Sequence, residues 1–82
     1  MRLPRDLSGT DLAALLRRYG YEITRQTGSH IRLTSTQRGV EHHVTIPAHK
    51  SLSVGTLSNI LSAVSSYLDK PKDDLADALF GN

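Results

Sequence analysis

Leu12, Leu15, Leu16 and Tyr19 fall at i, i+3, i+4 and i+7, one apolar stripe at helical spacing, with Arg17 and Arg18 outside it or at its edge. Just ahead, Ser8-Gly9-Thr10-Asp11 reads as a capping box, in which the Ser8 oxygen takes a first-turn N–H and Asp11 reaches back. Gly20 is placed to stop this helix. From Tyr21 to Gln26 the pattern changes to dense Tyr, Ile and Thr, which predicts a strand, and Thr27-Gly28 follows as a tight turn. Ser29 to Ser35 then alternates, with Ile31 and Leu33 on one face and His30, Arg32 and Thr34 on the other. After a loop around Gln37-Arg38-Gly39, Glu41 to Ile46 repeats the scheme, setting Val44 and Ile46 against His43 and Thr45. Pro47 closes that strand by removing a ladder donor. Ser53 caps a second helix whose Val54, Leu57, Ile60, Leu61, Val64 and Leu68 form another apolar stripe, and Asp69-Lys70-Pro71-Lys72 breaks it. Asp73 to Phe80 has the residues for a short third helix presenting Leu75, Leu79 and Phe80, a tail that the pattern leaves free to dock or to fray.

The expected class is therefore α+β: a helix, a three-stranded antiparallel meander, a second helix and a tail, in one domain of 82 residues with its core at about residues 8–68 and the tail at 69–82. Two amphipathic helices have enough apolar surface to cover one face of such a sheet and no more. The uncovered face is expected to carry Glu22, Thr24, Gln26, His30, Arg32, Thr34, His43 and Thr45, a set of donors, acceptors and two imidazoles suited to a nucleic acid.

Composition narrows the function classes. Hydrophobic residues at 38% and charged residues at 22% suit a folded globular domain rather than a disordered chain. The absence of cysteine removes disulfides, thiol nucleophiles and thiolate metal sites, and suits a reducing compartment. No apolar run approaches the roughly 18 residues that a membrane span requires, and the polar N-terminus does not resemble a secretory signal, so the expected location is the cytoplasm. The formal charge of +2 is unevenly spread: residues 1–50 carry eight Lys/Arg against four Asp/Glu, and residues 51–82 carry two against four. The basic front half points to a polyanion such as RNA or DNA, although a solvated surface of biased charge gives the same count. His42, His43 and His49 do not make a metal site on paper, because strand neighbours point to opposite faces and no carboxylate stands at a ligand spacing. The glycines match neither a P-loop nor a dinucleotide fingerprint, and no nucleophile elbow accompanies the serines, so no cofactor is expected.

Several fragments occur in a telling order. The opening helix exits through Gly20-Tyr21, then come Arg25-Gln26-Thr27-Gly28-Ser29-His30, Val44-Thr45-Ile46-Pro47-Ala48-His49, Gly55-Thr56-Leu57 and Ile60-Leu61. In these the chain resembles the HicA family of small toxins, ribonucleases that cleave messenger RNA on a double-stranded-RNA-binding-domain-like fold and are neutralised by antitoxins of the HicB type. The resemblance implies that the catalytic residue is the histidine of Gly-Ser-His, here His30. It departs from the family at Ile31, where many relatives have a second histidine or an aromatic, and in a second helix of Ser, Asn and Ala where theirs are often basic.

The implied chemistry is coherent. An RNA 2′-hydroxyl serves as nucleophile once a base that titrates near neutral pH takes its proton, and histidine is that base. No metal is needed, and DNA lacks the attacking group. Gly28 permits the turn that presents His30, and Ser29 bonds nearby backbone or phosphate. Arg32, two residues on and on the same face, neutralises a phosphate or is merely solvated. His49 and Lys50 lie in a basic loop before the second helix, where a phosphate fits. The competing expectation is a catalytically silent module that binds RNA, or an antitoxin-like protein, through the same polar face.

Overall fold

A computed structural model describes residues 2–81. The elements run α1 (Gly9–Leu16), a 3₁₀ turn (Arg17–Tyr19), β1 (Glu22–Thr27), β2 (His30–Ser35), β3 (His42–Pro47), α2 (Val54–Leu68) and α3 (Lys72–Phe80). The three strands form one antiparallel sheet in the order β1-β2-β3, so the expected α+β layout is present. In β2 and β3 the burial alternates as the sequence does: Ile31, Leu33, Val44 and Ile46 are buried beneath the helices, and the residues between them are not.

Both stripes reach the core. Leu12 and Leu16 of α1 and Leu57, Leu61 and Val64 of α2 are fully buried against that sheet face. The Ser8 cap forms, its Oγ accepting the Asp11 N–H at 3.0 Å and lying 3.1 Å from the Thr10 hydroxyl, but the Asp11 carboxylate does not return to the Ser8 N–H, so the box is half made. The helix also tightens early, and Tyr19 closes a 3₁₀ turn instead of ending the α-helical stripe, before Gly20 turns the chain at φ +82°. The tail docks: Leu75, Ala76 and Leu79 are buried in the same core, and the Arg18 guanidinium donates to the Ala78 carbonyl at 2.6 Å near the end of α3.

α1 lies unusually close to the end of β3. The Gly9 N–H donates to the His49 carbonyl at 2.9 Å, and a Cβ on Gly9 would stand 2.1 Å from the Pro47 carbonyl oxygen. Gly55, inside α2, faces open space. The two glycines should therefore respond oppositely to alanine. Gly9→Ala is expected to lose about 1–3 kcal/mol through the forced shift of backbone, and Gly55→Ala to gain up to about 1 kcal/mol of helix propensity. Urea unfolding of the two variants checks both signs.

Candidate functional site

The β1–β2 turn is a two-residue connection, Gly28-Ser29, between the paired residues Thr27 and His30. Gly28 has φ +52°, the left-handed value that a tight hairpin asks of its first central residue and that glycine adopts without strain. Ser29 is thus in the turn rather than the strand, and its carbonyl accepts the Ala48 N–H at 2.7 Å, binding the turn to the segment after β3. His30 is the first residue of β2, paired with Thr27 on one side and Pro47 on the other, and is exposed on the face the helices leave bare. Arg32 stands on the same face, half-buried between its strand neighbours. His49 and Lys50 are exposed just beyond Pro47. The backbone therefore brings Gly28, Ser29, His30 and His49 to one end of the sheet, with Lys50 following and Arg32 one step along β2.

The bare face differs from the alternation in one respect. β1 carries a bulge between Ile23 and Arg25, so that Glu22 pairs with Thr34 and Ile23 with Leu33, but Arg25 pairs with Arg32 and Gln26 with Ile31. One extra residue inverts the parity of the rest of the strand. Gln26, expected on the polar face, is on the helix side, and Arg25 takes its place opposite Arg32. Thr24 stays on the polar face, its hydroxyl 2.8 Å from that of Thr34, which in turn is 2.7 Å from His43 Nδ1. His43 Nε2 lies 3.3 Å from Glu41, completing a polar chain across all three strands. Nothing in the unbroken polar and apolar spacing of Tyr21 to Gln26 marks the bulge.

A second cluster lies at the other end of the sheet, where His42 pairs with Ser35. Tyr21 is fully buried, its hydroxyl 2.7 Å from His42 Nδ1, and the His42 ring stacks on Tyr67 with centroids 4.7 Å apart and planes at 10°. The Tyr67 hydroxyl accepts the Arg38 N–H at 2.9 Å and donates to the Val40 carbonyl, holding the β2–β3 loop. Burial, with the adjacent Tyr67 adding to it, raises the Tyr21 pKa. Burial also lowers that of His42, with a smaller contribution from His43. The hydroxyl thus stays protonated and the ring neutral, so Tyr21 donates to Nδ1. Sequence reading missed this cluster, though Tyr67 three residues after Val64 was a signal at the edge of the α2 stripe. His42 and His43 do point to opposite faces. Among the described residues no three His, Asp or Glu side chains gather as metal ligands.

The best-formed cavity lies elsewhere, a groove of about 250 Å³ between α1 and β1 that includes Ala13, Ile23, Gln26 and Ile31. His30 sits instead on an open surface, which suits a long polymer better than an enclosed small molecule. A sequence model described as the HicA toxin of bacterial toxin-antitoxin matches residues 9–64, more than half of the chain. The chain belongs to the HicA toxin family. Membership implies a HicB-type antitoxin as its partner. No curated protein matches the HicA chain, and no solved structure does. Among the described residues no helix is long and apolar enough to cross a membrane.

The lowered His42 pKa carries a stability prediction. Because the unfolded imidazole binds its proton more readily than the folded one, this contribution is present above the unfolded value of about 6.5 and is lost as pH falls through the lower folded value. His42→Gln keeps an acceptor for Tyr21 and does not titrate. Urea unfolding from about pH 7.5 to 5 is expected to show the parent losing more stability than His42→Gln; parallel curves would exclude the linkage.

Proposed function

We propose that this HicA protein is a metal-independent endoribonuclease that cleaves messenger RNA in the cytoplasm, with His30 as general base, and that it is the toxin of a type II pair. The observation that carries the reading is the placement of the Gly28-Ser29-His30 motif: a tight turn sets an exposed imidazole at the start of the central strand, on the one sheet face no helix covers. In the proposed reaction His30 takes the proton of a 2′-hydroxyl, the freed oxygen attacks the adjacent phosphorus, and the 5′ oxygen departs with a proton. A base of this kind contributes about 10²–10⁴-fold. Arg32, on the same face, holds the RNA backbone beside the reacting phosphate. Ser29, His49 and Lys50, gathered at the same end of the sheet, hold the flanking backbone. Gly28 serves the turn.

The HicB-type antitoxin silences such an enzyme most simply by lying over the bare face and denying RNA access to His30. The same face would also be used by a silent RNA-binding module, and the two readings separate on product.

Purified protein and its His30→Ala variant are compared on a defined messenger RNA in EDTA, with an all-DNA control. Cleavage of RNA alone, reduced about 10²-fold or more in the variant while circular dichroism and RNA binding persist, is the expected outcome. Intact RNA bound equally by both proteins would replace the enzyme with a binding module. Equal cleavage by both would remove His30 from the reaction.

A further inference from the structure

The bulge in β1 sets two arginines directly opposite each other on the bare sheet face, Arg25 on the edge strand and Arg32 on the central one. Directly opposed residues of an antiparallel pair lie about 4.5–5.5 Å apart at Cβ, and like charges in that position destabilise a sheet. Among the described residues neither guanidinium has a carboxylate partner. The acids near this face are engaged elsewhere: Glu22 lies 3.8 Å from Arg17, and Glu41 lies 3.3 Å from His43. Both belong to the far end of the sheet, by Thr34 and His43. The end with Arg25, Arg32, Thr45, Thr27 and His30 carries no acid in its paired rows.

We propose that Arg25 and Arg32 form a phosphate-binding pair that grips the RNA backbone next to the bond presented to His30. This deepens the ribonuclease reading of that face and rests on it. Two planar forks side by side match the oxygens of a phosphodiester and accept its charge without deprotonating. A two-residue step along β2, about 6.7 Å, separates the Arg32 row from the His30 row, comparable to the step between successive phosphates of an extended strand. The pair thus sets the register of the backbone over His30 and, being directed at phosphate, does so without reading bases. Thr24 fixes the bulge through its bond to Thr34, and so fixes Arg25 opposite Arg32.

The test measures binding of a short single-stranded 2′-O-methyl RNA, which has no free 2′-hydroxyl to attack, by the parent protein and by Arg25→Gln, Arg25→Lys, Arg17→Gln and His30→Ala over a range of salt. Arg25→Gln is expected to bind about five- to tenfold more weakly, with the slope of log affinity against log salt reduced by about 0.7. Its melting temperature is expected not to fall, since one of two opposed charges is gone. Arg25→Lys is expected to recover the salt slope, and Arg17→Gln, on the other side of the strand edge, to bind as the parent does. Unchanged affinity and slope in Arg25→Gln would overturn the pair and leave it to an acidic protein face, and so would a parent protein that does not bind the RNA. The two readings fail separately. Loss of affinity in Arg25→Gln together with undiminished cleavage of ordinary RNA by His30→Ala would keep the pair and discard the base, whereas unchanged affinity with cleavage lost in His30→Ala would do the reverse.

Discussion

The close approach of the first turn of α1 to the end of β3 is the constraint on which the rest of the molecule depends. Gly9 donates to the His49 carbonyl, Leu52 to that of Leu7, and Ala48 to that of Ser29, so three backbone bonds stitch the α1 entry, the β1–β2 turn and the approach to α2 into one seam. Only a residue without a Cβ fits against the Pro47 carbonyl there. The seam joins the core to the surface: on one side it sets α1 against β2 and β3, and on the other it fixes the turn that carries His30. A shift of α1 would therefore move the candidate base relative to His49 and Lys50, linking packing to chemistry with no contact between helix and RNA.

The second constraint is the shortage of apolar surface. Two helices and a docked tail cover the inner face of β2 and β3 but leave β1 exposed along its length, with Ile23 still 54% accessible although it pairs with buried Leu33. The outer face is left to polar groups, with Pro47 beside His30 at one end. Its far end is tied internally through Thr24, Thr34, His43 and Glu41, and the end by His30 is not. That unequal distribution of partners leaves the free donors at the His30 end, where a polyanion is best received. At the opposite end the Tyr21–His42–Tyr67 cluster holds the β2–β3 loop with neutral groups, avoiding a buried charge.

Much of this was legible in the residues. Helical stripes and strand alternation report burial directly, so α1, α2, β2, β3 and the face on which His30 stands follow from spacing. The docking of α3 did not follow, because Leu75 and Leu79 show only that an apolar face exists, not that room remains for it in the core. The bulge was hidden for a different reason: it is a property of pairing between β1 and β2, and each strand alone is regular. Hence Gln26 was expected where Arg25 stands. The motif Gly28-Ser29-His30 was readable as a turn with an exposed histidine, but its meaning as a catalytic base came from resemblance, since a strand histidine looks the same with or without a task.

The most direct test of His30-assisted attack by the RNA on itself is the chemistry of the ends it leaves. Mass spectrometry of a short RNA cut by the purified protein should find 2′,3′-cyclic phosphate on the upstream fragment and a free 5′-hydroxyl on the downstream one, because the attacking oxygen stays bonded to phosphorus. A 3′-hydroxyl upstream with a 5′-phosphate downstream would mean that water attacked instead, and would contradict the role given to the 2′-hydroxyl and to His30.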